Sequence, residues 1–160
     1  MSWSQYLFGF SGRINRARYW AYVLVGILFL LVGLGIALPY ILIEHRSANS
    51  GNEPLSPLGV ATIAAEAVLI VAYFVAILAI TAKRLHDRNK SGWWVVLFLI
   101  FPQIANAIAD PKMGLPSIPV AGRLLLLLSG FIFAIWGFIE LGCLRGTPGE
   151  NRYGPDPLAR

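Results

Sequence analysis

Four apolar runs alternate with short polar segments along this chain. The first, Tyr19 to Ile43, contains no charged residue. As a helix it would be roughly 37 Å long at about 1.5 Å per residue, enough to cross a hydrocarbon core of about 30 Å with some tilt. The second runs from about Val60 to Ala82 and is interrupted only by Glu66. The third, Gly92 to Ala109, is short and carries Pro102 in its middle. The fourth covers about Leu124 to Leu144, with Glu140 near its end. Ahead of them, Trp3, Tyr6, Leu7 and Phe10 recur at helical spacing, which predicts a short amphipathic helix lying in the membrane interface. The pattern thus predicts an all-α integral membrane four-helix bundle. It is read as a single domain over residues 1–160, with spans at about 19–43, 60–82, 92–109 and 124–144 and a polar C-terminal tail.

Composition agrees with the pattern. Hydrophobic residues make up 57% of the 160 and charged residues only 13%, where a soluble domain has about a quarter charged. Mean hydropathy is +0.66. Three arginines and a long apolar run argue against a cleaved signal peptide at the N-terminus. The formal charge of +5 belongs to topology rather than to nucleic acid, because the basic residues flank the apolar runs. Arg13, Arg16, Arg18, Lys83, Arg84, Arg88, Lys90, Arg145, Arg152 and Arg160 fall on one side of the predicted spans, and only Arg46, Lys112 and Arg123 on the other. The positive-inside rule then places both termini in the cytoplasm and the segments from about Glu44 to Gly59 and Asp110 to Gly122 outside, as turns. The single cysteine, Cys143, excludes an intrachain disulfide.

Without a hydrophobic drive between helices in lipid, packing relies on small residues. Ala65, Ala72, Ala76 and Ala79 line one stripe of the second span, Gly130, Ala134 and Gly137 one of the fourth, and Gly26 and Gly33 one of the first. A homo-oligomer is compatible with such seams. Three intramembrane polar residues, Glu66, Gln103 and Asn106, cluster by depth in the outer half. An acid at that depth is a candidate for ion or proton movement, but a hydrogen-bonded tie between the second and third spans is the simpler expectation. No metal set or cofactor motif is present in the sequence, and no catalytic residue is assigned.

Three polar motifs fall on the predicted inner side. In the first, Gly12-Arg13-Ile14-Asn15-Arg16-Ala17-Arg18-Tyr19-Trp20, Arg13 and Arg16 three apart would fork around a carboxylate or phosphate, and an aromatic pair follows. The second, Lys83-Arg84-Leu85-His86-Asp87-Arg88 with Ser91-Gly92-Trp93-Trp94, contains an adjacent His and Asp. Acid–base chemistry is one reading of that pair, but pairing of Asp87 with a neighbouring arginine is favoured. The third, Gly149-Glu150-Asn151-Arg152-Tyr153-Gly154-Pro155-Asp156-Pro157, is a tail of turn formers expected to fold back, with Glu150 or Asp156 pairing to the arginines.

In order and spacing, the three motifs resemble the domain of unknown function 805 (YhaH-like) family of small bacterial inner-membrane proteins. The basic loop Arg88-Asn89-Lys90 is a departure from the family's pattern. The resemblance implies a four-span protein of the bacterial inner membrane with cytoplasmic termini, and it supplies no activity. The expected function is non-enzymatic: a basic-aromatic face of Arg13, Arg16, Arg84, His86, Asp87, Arg88, Trp93, Asn151, Arg152 and Tyr153 that binds an anionic lipid headgroup, a small molecule or an acidic partner. A small transporter or oligomeric pore using Glu66 is the alternative, and a lipid-modifying enzyme using His86 and Asp87 comes third.

Overall fold

A computed structural model describes residues 7–49, 56–112 and 118–159, and it is helical throughout its regular elements. Helix α1 spans Arg16–Asn49. Asn15 caps it: its side-chain oxygen accepts the Arg18 N–H at 2.9 Å and its carbonyl the Tyr19 N–H at 3.0 Å. The helix runs through Glu44-His45-Arg46, which the sequence reading placed in a turn, because nothing in that stretch is a helix breaker. Helix α2 spans Pro57–Asp87, with Ser56 Oγ accepting the Gly59 N–H at 3.1 Å and proline at the first helical position.

Helix α2 stops at a left-handed residue, Asn89 (φ 56°). The Lys90 N–H closes on the Leu85 carbonyl and the Asn89 N–H on that of His86, both at 2.9 Å, which is the Schellman pattern. The third apolar segment differs from a straight span. Pro102 has no N–H to offer Phe98, so the ladder slips, the Phe101 N–H reaches Val96, and Val96–Ile100 forms a π-helical turn before helix α3, Phe101–Ala109. Helix α4, Val120–Phe138, likewise ends in a π-helical turn, Ile139–Cys143. Among the described residues three helices are long and apolar enough to cross a membrane, while Val96–Ala109 is shorter than the third span expected at 92–109. Of the expected interfacial helix, residues 1–6 lie outside the described residues; Leu7 and Phe8 are helical. Residues 50–55 and 113–117 of the two expected outer turns also lie outside.

The burial pattern inverts that of a soluble protein. Leu24, Val68 and Leu125 are 61%, 68% and 68% exposed, whereas Arg84 and Asp87 are 0% and 3% exposed. A surface of bare aliphatic side chains is stable against lipid and not against water.

The chain divides into two compact units, Ala21–Ile77 and Met1–Trp20 with Leu78–Arg160. In the first, glycines of α1 receive tall side chains of α2. A Cβ on Gly26 would enter the Tyr73 ring, and one on Gly33 would meet the Glu66 carboxylate at 3.5 Å. Gly26 to Gly33 and Tyr73 to Glu66 are matching heptad steps taken in opposite senses, so the two helices run antiparallel with Glu66 in their seam. In the second unit, a Cβ on Gly130 would lie 3.3 Å from Ala105, and one on Gly137 would lie 2.8 Å from Phe98. Ala134, expected in this seam, is exposed instead. Trp136 fills the space beside Gly137, with ring centroids 5.3 Å from Phe98 and 5.5 Å from Trp94.

The glycine seam predicts a non-additive pair. Gly26→Ala should lower stability by about 1–3 kcal/mol through overpacking, and Tyr73→Leu should return most of that loss. A double-mutant cycle on unfolding in detergent measures this, and additive effects would contradict the seam.

Candidate functional site

The site begins at the last residue of α2. Asp87 points its carboxylate into the protein and shares it between two arginines from different motifs. Oδ1 accepts from Arg13 Nε at 3.2 Å and Nη2 at 3.1 Å, and Oδ2 accepts from Arg84 Nη1. The Arg13, Arg84 and Asp87 side chains are 1%, 0% and 4% exposed. Two cations on one acid leave excess positive charge in a desolvated place, so neutral oxygens must complete their shells.

For Arg13 those oxygens come from the tail. Nη1 donates to the carbonyls of Gly149 (2.7 Å) and Gly154 (3.1 Å), and Nη2 donates to that of Thr147 (2.6 Å). With the two bonds to Asp87, all five guanidinium N–H groups are engaged. Gly149 and Gly154 have φ of 74° and 124°, conformations that side chains rarely adopt, and these aim their carbonyls at Arg13. Thr147 completes the closure: its N–H and Oγ1 both donate to the Asp87 carbonyl, at 2.8 and 2.9 Å. Asn151 Nδ2 donates to the His86 carbonyl at 3.0 Å and to Thr147 Oγ1 at 2.8 Å. Gly146 is needed for contact, since a Cβ there would collide with the Asp87 carboxylate.

Arg84 is satisfied by the end of α4. Unwinding after Cys143 leaves five consecutive carbonyls exposed, and each finds a side-chain donor. Arg84 Nε donates to Leu141 at 2.8 Å, Trp20 Nε1 to Gly142 at 3.1 Å and Arg16 Nη1 to Cys143 at 3.2 Å. Arg84 Nη2 takes Leu144 and Arg88 Nη1 takes Arg145. Cations at a helix C-terminus also complement its dipole. Glu140, buried in the same turn, pairs with Arg88 at 3.0 Å and Lys90 at 3.3 Å, while the Lys90 ammonium sits 5.0 Å over the Trp94 ring.

On the outer side of this network, His86 stacks on Tyr153 with centroids 3.9 Å apart, and its Nδ1 donates to the Gly12 carbonyl at 3.2 Å. The Arg152 guanidinium covers the other aromatic, 4.8 Å from the Tyr153 centroid, and donates to the Asn89 carbonyl at 3.0 Å. His86 and Asp87 therefore point into different environments and do not form an acid–base pair. Trp93 is 80% exposed and lines an apolar recess with Phe10, Leu78 and Ile100. Gln103 and Asn106 are exposed on α3, and Glu66 belongs to the α1–α2 seam of the other unit.

The three motifs thus meet, through contacts only partly anticipated. The tail carboxylates do not hold the arginines. Glu150 is exposed, and Asp156 accepts the N–H groups of Leu158 (2.8 Å) and Gly149 (3.0 Å), which hold its carboxyl below the usual range. Backbone carbonyls and Thr147 carry the grip instead, and the pairing of Glu140 with Arg88 and Lys90 was not foreseen. A cavity of about 540 Å³ remains beside the network, with Asn15, Arg16, Arg145, Thr147, Asp156 and Leu158 in its wall. Among the described residues, no group of three or more His, Cys, Asp or Glu is placed to hold a metal ion.

Removing Asp87's charge should be severe. Asp87→Asn should lower unfolding stability by about 3–5 kcal/mol, because two buried guanidiniums lose their counter-charge, whereas Glu150→Gln should leave it unchanged. Arg13→Ala should free the tail, which limited trypsin digestion after Arg145 and Arg152 would register as faster cleavage than in the parent protein.

The model of the family described as a protein of unknown function (DUF805) matches residues 7–155. Among curated relatives, the chain is 31% identical over 153 residues to the inner membrane protein YhaH of Escherichia coli strain K12, covering 93% of this chain and 87% of that one. It is 27% identical over 155 residues to the inner membrane protein YhaI of the same strain (93% and 86% covered) and 30% identical over 158 residues to its uncharacterized protein YiiR (98% and 90%). No solved structure matches. The match covers the arginine–aspartate network and the tail that closes over it, and this chain belongs to the DUF805 family.

Proposed function

We propose that the protein is a non-enzymatic component of the bacterial inner membrane, with four spans packed as a bundle and both termini in the cytoplasm, whose cytoplasmic face captures an anionic group at the membrane surface. One observation carries this reading. The inner network divides the arginines into two classes: Arg13 and Arg84 are buried and committed to Asp87 and to carbonyls, with Arg88 committed to Glu140 and the Arg145 carbonyl, whereas Arg16, Arg18, Arg145 and Arg152 are exposed. The first class builds a rigid plate, and the second is the charge that the plate presents. Exposed cations next to an anionic leaflet contribute about 1 kcal/mol each, so four on a fixed scaffold are enough for selective retention of acidic headgroups. The protruding Trp93 fits an interfacial anchor for the same face. The buried pair at Arg13 and Arg84 supports structure rather than capture, which narrows the ligand-facing residues to the second class.

The test is lipid retention. Purified protein in neutral detergent should keep phosphatidylglycerol in preference to phosphatidylcholine by about tenfold in native mass spectrometry. Combined Arg16→Glu and Arg145→Glu should remove the preference without affecting membrane insertion. Equal retention of the two lipids by the parent protein would overturn the reading.

A further inference from the structure

The cavity beside the network has a composition that the general reading does not use. Its wall contains two arginines, Arg16 from the first turn of α1 and Arg145 just past the end of α4, together with Asn15 and Thr147. Arg16 engages one N–H with the Cys143 carbonyl, and the Arg145 side chain makes no hydrogen bond among the described residues. Two acids also border the space. Asp87 is committed to Arg13 and Arg84, a group that is itself net positive. Asp156 is different: its carboxylate is fixed by two backbone N–H groups, it has no ion pair within bonding distance among the described residues, and Arg13 and Arg145 are the cations whose fields reach it. At about 540 Å³ the cavity matches a headgroup or small-metabolite pocket, for which about 300–1,000 Å³ is usual.

We propose that this cavity is a phosphate-binding site, in which Arg16 and Arg145 clamp the phosphate oxygens and Asp156 is the resident carboxylate that opposes them. Guanidinium forks suit phosphate because paired N–H groups meet paired oxygens. The opposing carboxylate tunes the affinity: with Asp156 charged, Arg16 and Arg145 offer a net single positive charge, and without it they offer two, while the Arg13–Arg84–Asp87 group beside them adds one more in either case. A terminal phosphate carries about −1.5 to −2 near neutral pH, so it gains more from that change than a singly charged carboxylate does. The proposal rests on the anion-capture reading and locates its strongest point. Terminal phosphate reaches this place from two sources, the monoester headgroup of phosphatidic acid or a soluble phosphate monoester, and both present the same group.

Cys143 supplies the readout, since it is the single cysteine, it is exposed, and its own carbonyl is the one that holds Arg16. The full chain, labelled at Cys143 with an environment-sensitive fluorophore in phosphatidylcholine nanodiscs, is titrated with glycerol 3-phosphate in one arm. In the other arm, nanodiscs contain increasing phosphatidic acid. Calorimetry on unlabelled protein checks both arms. Saturable binding in either arm supports the site and names the source. Arg16→Gln and Arg145→Gln should each weaken that binding at least tenfold, Arg18→Gln should leave it unchanged, and Asp156→Asn should tighten it about tenfold. Two outcomes overturn the site while leaving general anion capture standing: equal weakening by Arg16→Gln, Arg145→Gln and Arg18→Gln, or no tightening by Asp156→Asn. Absence of binding in both arms, for the parent and for Asp156→Asn alike, overturns the site outright, and the lipid-retention experiment then decides the broader reading separately.

Discussion

A single carboxylate shared by two guanidiniums organises the unit formed by residues 1–20 and 78–160. Asp87 joins Arg13, from the chain's first segment, to Arg84, one turn back on its own helix. Because one acid cannot offset two buried cations, the arrangement is stable only if carbonyl oxygens take the remaining N–H groups. That requirement recruits the C-terminal segment twice: once at Thr147, Gly149 and Gly154 for Arg13, and once at Leu141 and Leu144 for Arg84. The fold of the tail follows from the charge balance of the centre.

The unwound end of α4 is the other half of the same solution. A helix that stops near a polar boundary leaves carbonyls without partners. Here Trp20, Arg16, Arg84 and Arg88 donate to five of them in sequence, so the first and second motifs finish the last helix. Glu140 within that turn draws in Arg88 and Lys90, and Lys90 in turn rests on Trp94. Residues that read as topology signals therefore have specific partners, and mutating them for charge alone would disturb packing as well.

Much of this was legible in advance. The apolar runs showed α1, α2 and α4, since length and lack of charge suffice for those, and the turn formers of the tail predicted its return. Pairing of Asp87 with an arginine followed from their proximity in sequence. The third span was less clear, because the effect of Pro102 on the preceding turn depends on how α4 packs against it. The partners of Arg13 were not legible, since a backbone carbonyl leaves no mark on composition. Nor was the division of arginines into buried and exposed: Arg13 and Arg16 are the same residue type one turn apart, and only the buried Ile14 and the tail's path separate their fates. The α1–α2 seam was half visible, for Gly26 and Gly33 were apparent as a stripe while Tyr73 and Glu66 were not recognised as their counterparts.

The order in which a ribosome delivers these pieces has its own logic. Arg13 leaves the exit tunnel 134 residues ahead of Thr147, yet three of the oxygens it needs belong to Thr147, Gly149 and Gly154. Until then it can lean only on water and lipid phosphate, and on Asp87 once α2 has been synthesised. Synthesis of Thr147 to Gly154 is thus itself the latch on Arg13: a nascent chain ending before Thr147 would keep Asp87 between its two arginines and the donors to the end of α4, but nothing would close over Arg13.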